Sequence, residues 1–306
     1  MNHEEIVARL DKTRATYGPW KRENILLPHG VWTKDDSPKQ PRLFIKRIIE
    51  SISAVSKKPL SQCRILDLAP GEGASTVECA LQGAQVTVVE AREENLERIQ
   101  AVLDCYGVTD QVTLTIGDVR SISEDVQGRF DIVLCCGILY HLDAKGVHEV
   151  VNRSYKMADD LIFIDTHISL APNAKVILDD DSYEGWYCRE HVRGATKTAK
   201  EAAIYSSIDN ETSFWFSRVS LINMLMRAGY QCVVEVLNTP MPRRPDRCSF
   251  VGVKSQAVSI KIAPEGYPTE FWDEGTLDYG RRNDTRIRSI SLVGRVRRRL
   301  RKLIRS

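Results

Sequence analysis

Short apolar runs alternate with helical stretches along the middle of the chain. The runs are RILDLA (64–69), AQVTVVEA (84–91), VTLTIGD (112–118), FDIVLCCGI (130–138) and LIFIDTHI (161–168). Between them lie ASTVECALQG, REENLERIQAVLDCYG, the short SISEDVQG and DAKGVHEVVNRSYKMA. Continuous Val/Ile/Leu runs separated by helices predict a parallel sheet covered on both faces. RVSLINMLMRAGY (218–230) predicts a further helix stopped by glycine. Eight residues separate QCVVEVLN (231–238) from RCSFVGVKS (247–255), too few for a crossover helix, so these two runs should pair antiparallel. The expected fold class is α/β: a doubly wound, mostly parallel seven-stranded sheet with an antiparallel last strand.

The flanks read differently. Residues 1–60 predict an N-terminal helical cap, with IVARLDKT and PRLFIKRIIESISAV around the turn-rich YGPWKRENILLPHGVWT. Residues 61–256 form the main domain. Within it, residues 171–216 show no clear strand and predict a lid insertion carrying aromatic and charged side chains. Residues 257–306 form a C-terminal extension.

Composition adds two constraints. The eight cysteines lack any CxxC pair, which suits buried free thiols in a reducing compartment better than disulfides or zinc. The six histidines form no HxH or HExxH pair, so no metal site is expected. The N-terminus lacks the apolar stretch of a signal peptide, and no apolar run reaches the roughly 20 residues that cross a bilayer. The default compartment is therefore the cytoplasm. The net charge of +2 is uneven: residues 281–306 hold ten Arg and one Lys against one Asp, leaving 32 basic and 40 acidic residues elsewhere. Val293, Val296, Leu300, Leu303 and Ile304 share one helical face of that tail. A basic amphipathic stretch suits an anionic membrane surface, placing the protein at the inner membrane face. Its few aromatics favour that reading over nucleic acid.

The chemistry concentrates on LDLAPGEGAST (66–76). The turn Gly71-Glu72-Gly73-Ala74-Ser75-Thr76 has Thr76 where a dinucleotide fingerprint places its third glycine. Asp67, inside the first run, is a poor neighbour for a pyrophosphate and a good one for a cationic ligand. Glu90 ends the second run, where its two oxygens can take a pair of ribose hydroxyls, and Asp118 ends the third. Three acids at three successive strand ends converge on the crevice where open α/β sheets bind ligands.

With DLAPGEG, VVEA, IGDV, FDIVLCCGILYHL and LIFIDTHI in this order, the chain resembles the class I S-adenosylmethionine (SAM)-dependent methyltransferases over about residues 61–256. The resemblance implies that Asp67, Gly71 and Gly73 bracket the methionine part of SAM and that Glu90 holds the ribose. Asp118 with Val119 would hold the adenine, and Ala69, Ala91, Cys136 and Gly137 would complete the cofactor site. GILYHL and the upstream Trp20, Ile25, Leu27, Gly30, Thr33 pattern are loosely similar to a subgroup that contains tRNA wobble-uridine carboxymethyltransferase-like proteins.

Transfer to a hydroxyl needs a base, and His141 and His167 follow the fourth and fifth runs. Tyr140, Trp186, Tyr187, Arg193 and Trp215 are the candidate acceptor-binding residues, the aromatics for a ring and Arg193 for an acidic group. The expected function is methyl transfer to a hydroxyl of a small molecule or glycan. A tRNA-modifying methyl or carboxymethyl transferase and a non-catalytic SAM-binding module are the alternatives. The oligomeric state is left open.

Overall fold

The computed structural model describes residues 1–34, 43–236 and 245–255. Five parallel strands, β1 (Arg64–Leu68), β2 (Gln85–Glu90), β3 (Val112–Ile116), β4 (Phe130–Cys136) and β5 (Ala158–His167), coincide with the five apolar runs. They join β9 (Cys232–Val236) and β10 (Arg247–Val253) in one sheet of order β3-β2-β1-β4-β5-β10-β9. β10 runs antiparallel to both β5 and β9. The order reverses between β1 and β4, which opens the crevice at their carboxyl ends.

Alternation of side chains across the pleat divides the core into two layers. Ile65, Val86, Val88, Ile132, Leu134 and Phe163 face one cluster. Leu66, Leu68, Val89, Val133, Ile162 and Ile164 face the other. Helices α1 (His3–Tyr17), α2 (Leu43–Val55), α3 (Ala74–Leu81) and α4 (Glu93–Tyr106) cover the first face. The short α5 (Glu124–Gln127) leads into β4, and α6 (Ala144–Met157) and α8 (Arg218–Ala228) cover the second face. Residues 1–34 belong to this core: Ile6, Leu10, Trp20 and Leu27 are buried in the same cluster as Ile65 and Ile99. α1 opens with a capping box between Asn2 and Glu5, and α8 ends on left-handed Gly229 as its sequence predicts.

The insertion corrects the expectation that residues 171–216 contain no clear strand. β6 (Ala174–Leu178), β7 (Asp181–Arg189) and β8 (Thr212–Phe216) form a second, antiparallel sheet of three strands. Asp179 and Asp180, both with positive φ, make the two-residue turn between β6 and β7. Aspartate tolerates this conformation, so a charged pair that reads as loop closes a hairpin. α7 (Lys197–Ala202) lies in the long β7–β8 connection. No helix of the described residues is long and apolar enough to cross a membrane. The basic stretch 281–306 lies outside the described residues.

Candidate active site

The glycine turn is built from buried acids upward. Asp67 is fully buried at the end of β1 and accepts hydrogen bonds from Thr76 Oγ1 (2.7 Å) and Ser75 Oγ (2.9 Å). Its other oxygen, Oδ1, is buried without a partner. Burial pushes its carboxyl up to about 6, and the Thr76 and Ser75 bonds oppose that rise. Thr76, standing where a third glycine would, thus orients the acid below the turn. Ala69 follows with φ 51°, a left-handed conformation rare for alanine and typical of a strained functional turn. Gly73 (φ 88°) is required twice over, because a Cβ there would lie 2.5 Å from Ile99 Cγ1.

Glu90, almost fully buried, links the turn to β2. Its Oε2 accepts the Gly71 N–H (3.1 Å) and its Oε1 the Arg92 N–H (3.0 Å), while burial raises its carboxyl above the usual range. The Asn95 side chain and the Ala91 backbone also donate to this carboxylate. Asp118 is fixed by Arg120, whose backbone N–H and guanidinium both donate to it. Burial would raise Asp118, but these bonds outweigh it and hold the carboxyl below the usual range.

Of these residues Ala69, Glu90, Asp118 and Arg120 open on a cavity of about 630 Å³, within the size range of small-molecule sites. Ala69, Glu90, Ala91, Asp118, Val119, Gly137 and His141 line it, and so do Arg22, Arg92, Asn95 and Arg120. Asp67, Gly71, Gly73 and Cys136 are not among its lining residues. Lys200, Glu201, Ile204 and Ser206–Asp209 form its cover. The cover is therefore α7 with its following loop, a part of the insertion 171–216 that lies beyond its aromatic stretch 182–194. Arg120 Nη2 holds Asp209 Oδ2 at 2.5 Å, and Arg92 holds the carbonyls of Glu201 and Ala203.

His141 sits on the short helical turn after β4, at the cavity wall. Its Nδ1 lies 3.0 Å from Glu190 Oε2, a carboxylate that can only accept, so Nδ1 carries the proton and Nε2 is the basic nitrogen. Ser207 N–H and Ser213 Oγ, each at 2.8 Å, also donate to Glu190. Burial would raise Glu190, but the bond from His141 and these two hold it below the usual range.

His167 and the acceptor candidates Tyr140, Trp186 and Trp215 form a separate aromatic wall. The His167 ring stacks on Trp215 (4.9 Å, 18°) and meets the edge of Tyr140 (4.7 Å). Trp215 Nε1 donates to the Tyr140 carbonyl at 2.9 Å, and Trp186 packs edge-on against Trp215. His167 Nδ1 is paired with Asp246 Oδ2 at 2.7 Å. Arg247, bound to buried Asp165, reaches Tyr140 OH at 3.2 Å through Nη1. This wall adjoins the cavity at Gly137, where a Cβ would lie 3.6 Å from both Arg247 Nη2 and Tyr140 OH. Tyr187 points to the opposite face of β7 from Trp186 and packs on Phe214. Arg193 is exposed in the loop after β7 and does not line the cavity. Sequence reasoning missed Glu190, Asp246, Arg247, Arg120 and Arg22. Glu190 alone had a local signal, as part of the CREH segment between the aromatic cluster and His191.

Residues 65–159 match a family described as methyltransferase domain. The chain is similar to the N-terminal domain of EvdMO1 solved in the presence of SAH and D-fucose, with a TM-score of 0.61 and 25% identity over 83% of this chain and 97% of that one. The same domain with SAH bound gives a TM-score of 0.60 at 25% identity, with the same coverage. Among curated proteins, the ubiquinone biosynthesis O-methyltransferase of Rickettsia akari (strain Hartford) is 26% identical over 122 residues, 38% of this chain. The chain spans under half, 46%, of that relative's length. The chain carries a class I SAM-dependent methyltransferase domain.

The residues present fit the cofactor of that class. The buried, partnerless Asp67 Oδ1 leaves an acceptor below the turn that suits an ammonium, and Glu90 at the cavity wall is an acceptor that suits a ligand hydroxyl. A pyrophosphate fits poorly: the first N–H of α3, on Ala74, is already bound by Glu23 Oε2 at 2.8 Å.

Proposed function

We propose that the protein transfers a methyl group from SAM to a hydroxyl of a small molecule or sugar. The observation that carries this reading is the His141–Glu190 pair at the wall of the cavity that Glu90 and Asp118 line. When bound, SAM supplies an electrophilic methyl group on a sulfonium. His141 Nε2 takes the proton of the acceptor hydroxyl as its oxygen attacks, and Glu190 stabilises the imidazolium that results. Glu190, held by Ser207 and Ser213, keeps the imidazole in one tautomer and one orientation. α7 and the loop after it exclude water from the cavity.

The aromatic wall supports a ring-bearing acceptor. Trp186 is 41% exposed, and its ring packs on Trp215, which in turn meets Tyr140. Apolar ring faces with polar tips suit a sugar or phenol. The two relatives named above point the same way, one being named an O-methyltransferase and the other solved with D-fucose. The test is incubation of cell extract with the protein and isotopically labelled SAM, followed by identification of the labelled product. A labelled ether supports the proposal; label confined to nitrogen or carbon refutes hydroxyl transfer. For the basic stretch 281–306 we propose contact with an anionic membrane surface, to be read from liposome co-sedimentation with and without it; equal sedimentation would remove the idea.

A further inference from the structure

Asp165, fully buried near the carboxyl end of β5, faces more cations than it can pair. Its Oδ1 binds the Arg247 guanidinium, and its Oδ2 accepts Ser249 Oγ at 2.6 Å. Arg47, from α2, comes to 3.7 Å of Oδ2, close enough for charge attraction but too far for a hydrogen bond. One carboxylate thus serves two guanidiniums. Among the described residues, no second acid is ion-paired with either arginine. Asp246, next to Arg247 in the chain, is taken by His167 Nδ1 at 2.7 Å.

Arg47 is the cation left over. Its side chain is only 18% exposed, and its Nε is buried without a hydrogen-bond partner. Burial pulls the guanidinium below its ordinary range; Asp165 opposes that fall and Arg247 adds to it. A buried cation with unused donors is costly unless a ligand brings acceptors to it. The Phe44 ring lies 5.3 Å from the Arg47 guanidinium and 5.9 Å from that of Arg247, holding the two side by side.

The pair stands at the acceptor end of the crevice. Arg247 lies 5.1 Å over the Tyr140 ring, which in turn meets the His141 ring at 4.3 Å. Gly137, on the cavity wall, separates Arg247 from the cavity by no side chain of its own. Two guanidiniums and the base therefore border one space from two sides.

We infer that Arg47, with Arg247, binds an anionic group of the methyl acceptor, a carboxylate or a phosphate, and so turns the acceptor hydroxyl toward His141. This rests on the hydroxyl-transfer reading and names the acceptor's chemical class. A guanidinium fork matches either anion in two parallel hydrogen bonds. Arg193, the sequence candidate for an acidic group, stays exposed in its loop.

Calorimetry on the SAH-loaded full chain tests it with two probes at matched ionic strength, inorganic phosphate and 4-hydroxybenzoate. At least one should bind, and Arg47→Met should weaken it about tenfold or more with SAH affinity kept within about twofold. Asp165 keeps its bonds from Arg247 and Ser249 in that variant, so no buried charge is orphaned. Arg47→Lys should recover part of the probe affinity. Undiminished probe binding in Arg47→Met, or binding of neither probe, overturns the inference. The labelled ether from the extract assay should be retained on an anion exchanger, and loss of that retention after phosphatase treatment would tell phosphate from carboxylate. A labelled ether without negative charge also overturns the inference. Label confined to nitrogen or carbon overturns the hydroxyl-transfer reading instead, a distinct failure.

Discussion

The two sheets solve different problems. The seven-stranded sheet places Asp67, Glu90 and Asp118 at the ends of three adjacent strands, each presented by the residues next to it in sequence. The three-stranded sheet presents Trp186 and Trp215 from strands whose pairing spans the β7–β8 connection, and Glu190 just beyond β7. A cofactor common to a large class can be held by a short local pattern. An acceptor peculiar to one enzyme is met by a surface assembled from distant pieces.

The pair His141–Glu190 is where the two sheets meet, so its removal should have the largest effect. His141→Ala is expected to lower kcat by roughly 10²–10⁴ while SAH affinity by calorimetry stays nearly constant. Retained turnover would separate the second sheet from the chemistry and leave it a binding surface.

Asp67→Asn should strike the first sheet alone, lowering SAH affinity by roughly 10–100-fold near pH 8. The pH dependence follows from the folded carboxyl at about 6 against an ordinary 3.8. A raised acid favours the neutral form, so the unliganded protein loses stability as pH rises from about 4 to about 6. The ammonium needs the ionised form, so SAH affinity should fall as pH drops below about 6. A flat affinity profile between pH 5 and 8 in the unsubstituted protein would remove Asp67 from the ammonium site.

Gly73→Ala should cost roughly 1–3 kcal/mol of stability in urea denaturation, since the new methyl meets Ile99 at a left-handed φ. A neutral result would show that the turn can relax. The smallest effect belongs to Trp186→Ala: stability within about 0.5 kcal/mol, and KM for the acceptor raised several-fold with kcat little changed. An unchanged KM would take the aromatic wall out of acceptor binding.

The legible parts of the site share one property: their partners are close along the chain. The period of the apolar runs determined the sheet, and the spacing of LDLAPGEG to VVEA and IGDV placed the acids. His141 and His167 were visible as strand-end histidines, but not which carboxylate each would meet. Their partners lie 49 and 79 residues away. Glu72 accepts the Arg22 N–H across 50 residues, from what reads as an irregular insertion. Tyr187 and Trp186, neighbours in sequence, part to opposite faces once β7 forms.

By itself, then, the amino-acid order determined the main sheet, its glycine turn and the acids that crown it. Those features follow from backbone periodicity and from side chains acting within a few residues. Only the tertiary structure decided which base pairs with which acid, which segment covers the cavity and which arginines flank Asp165. Each of these depends on loops that bring remote charges within about 3 Å, where burial makes hydrogen bonding and charge pairing strong. No local pattern encodes that approach.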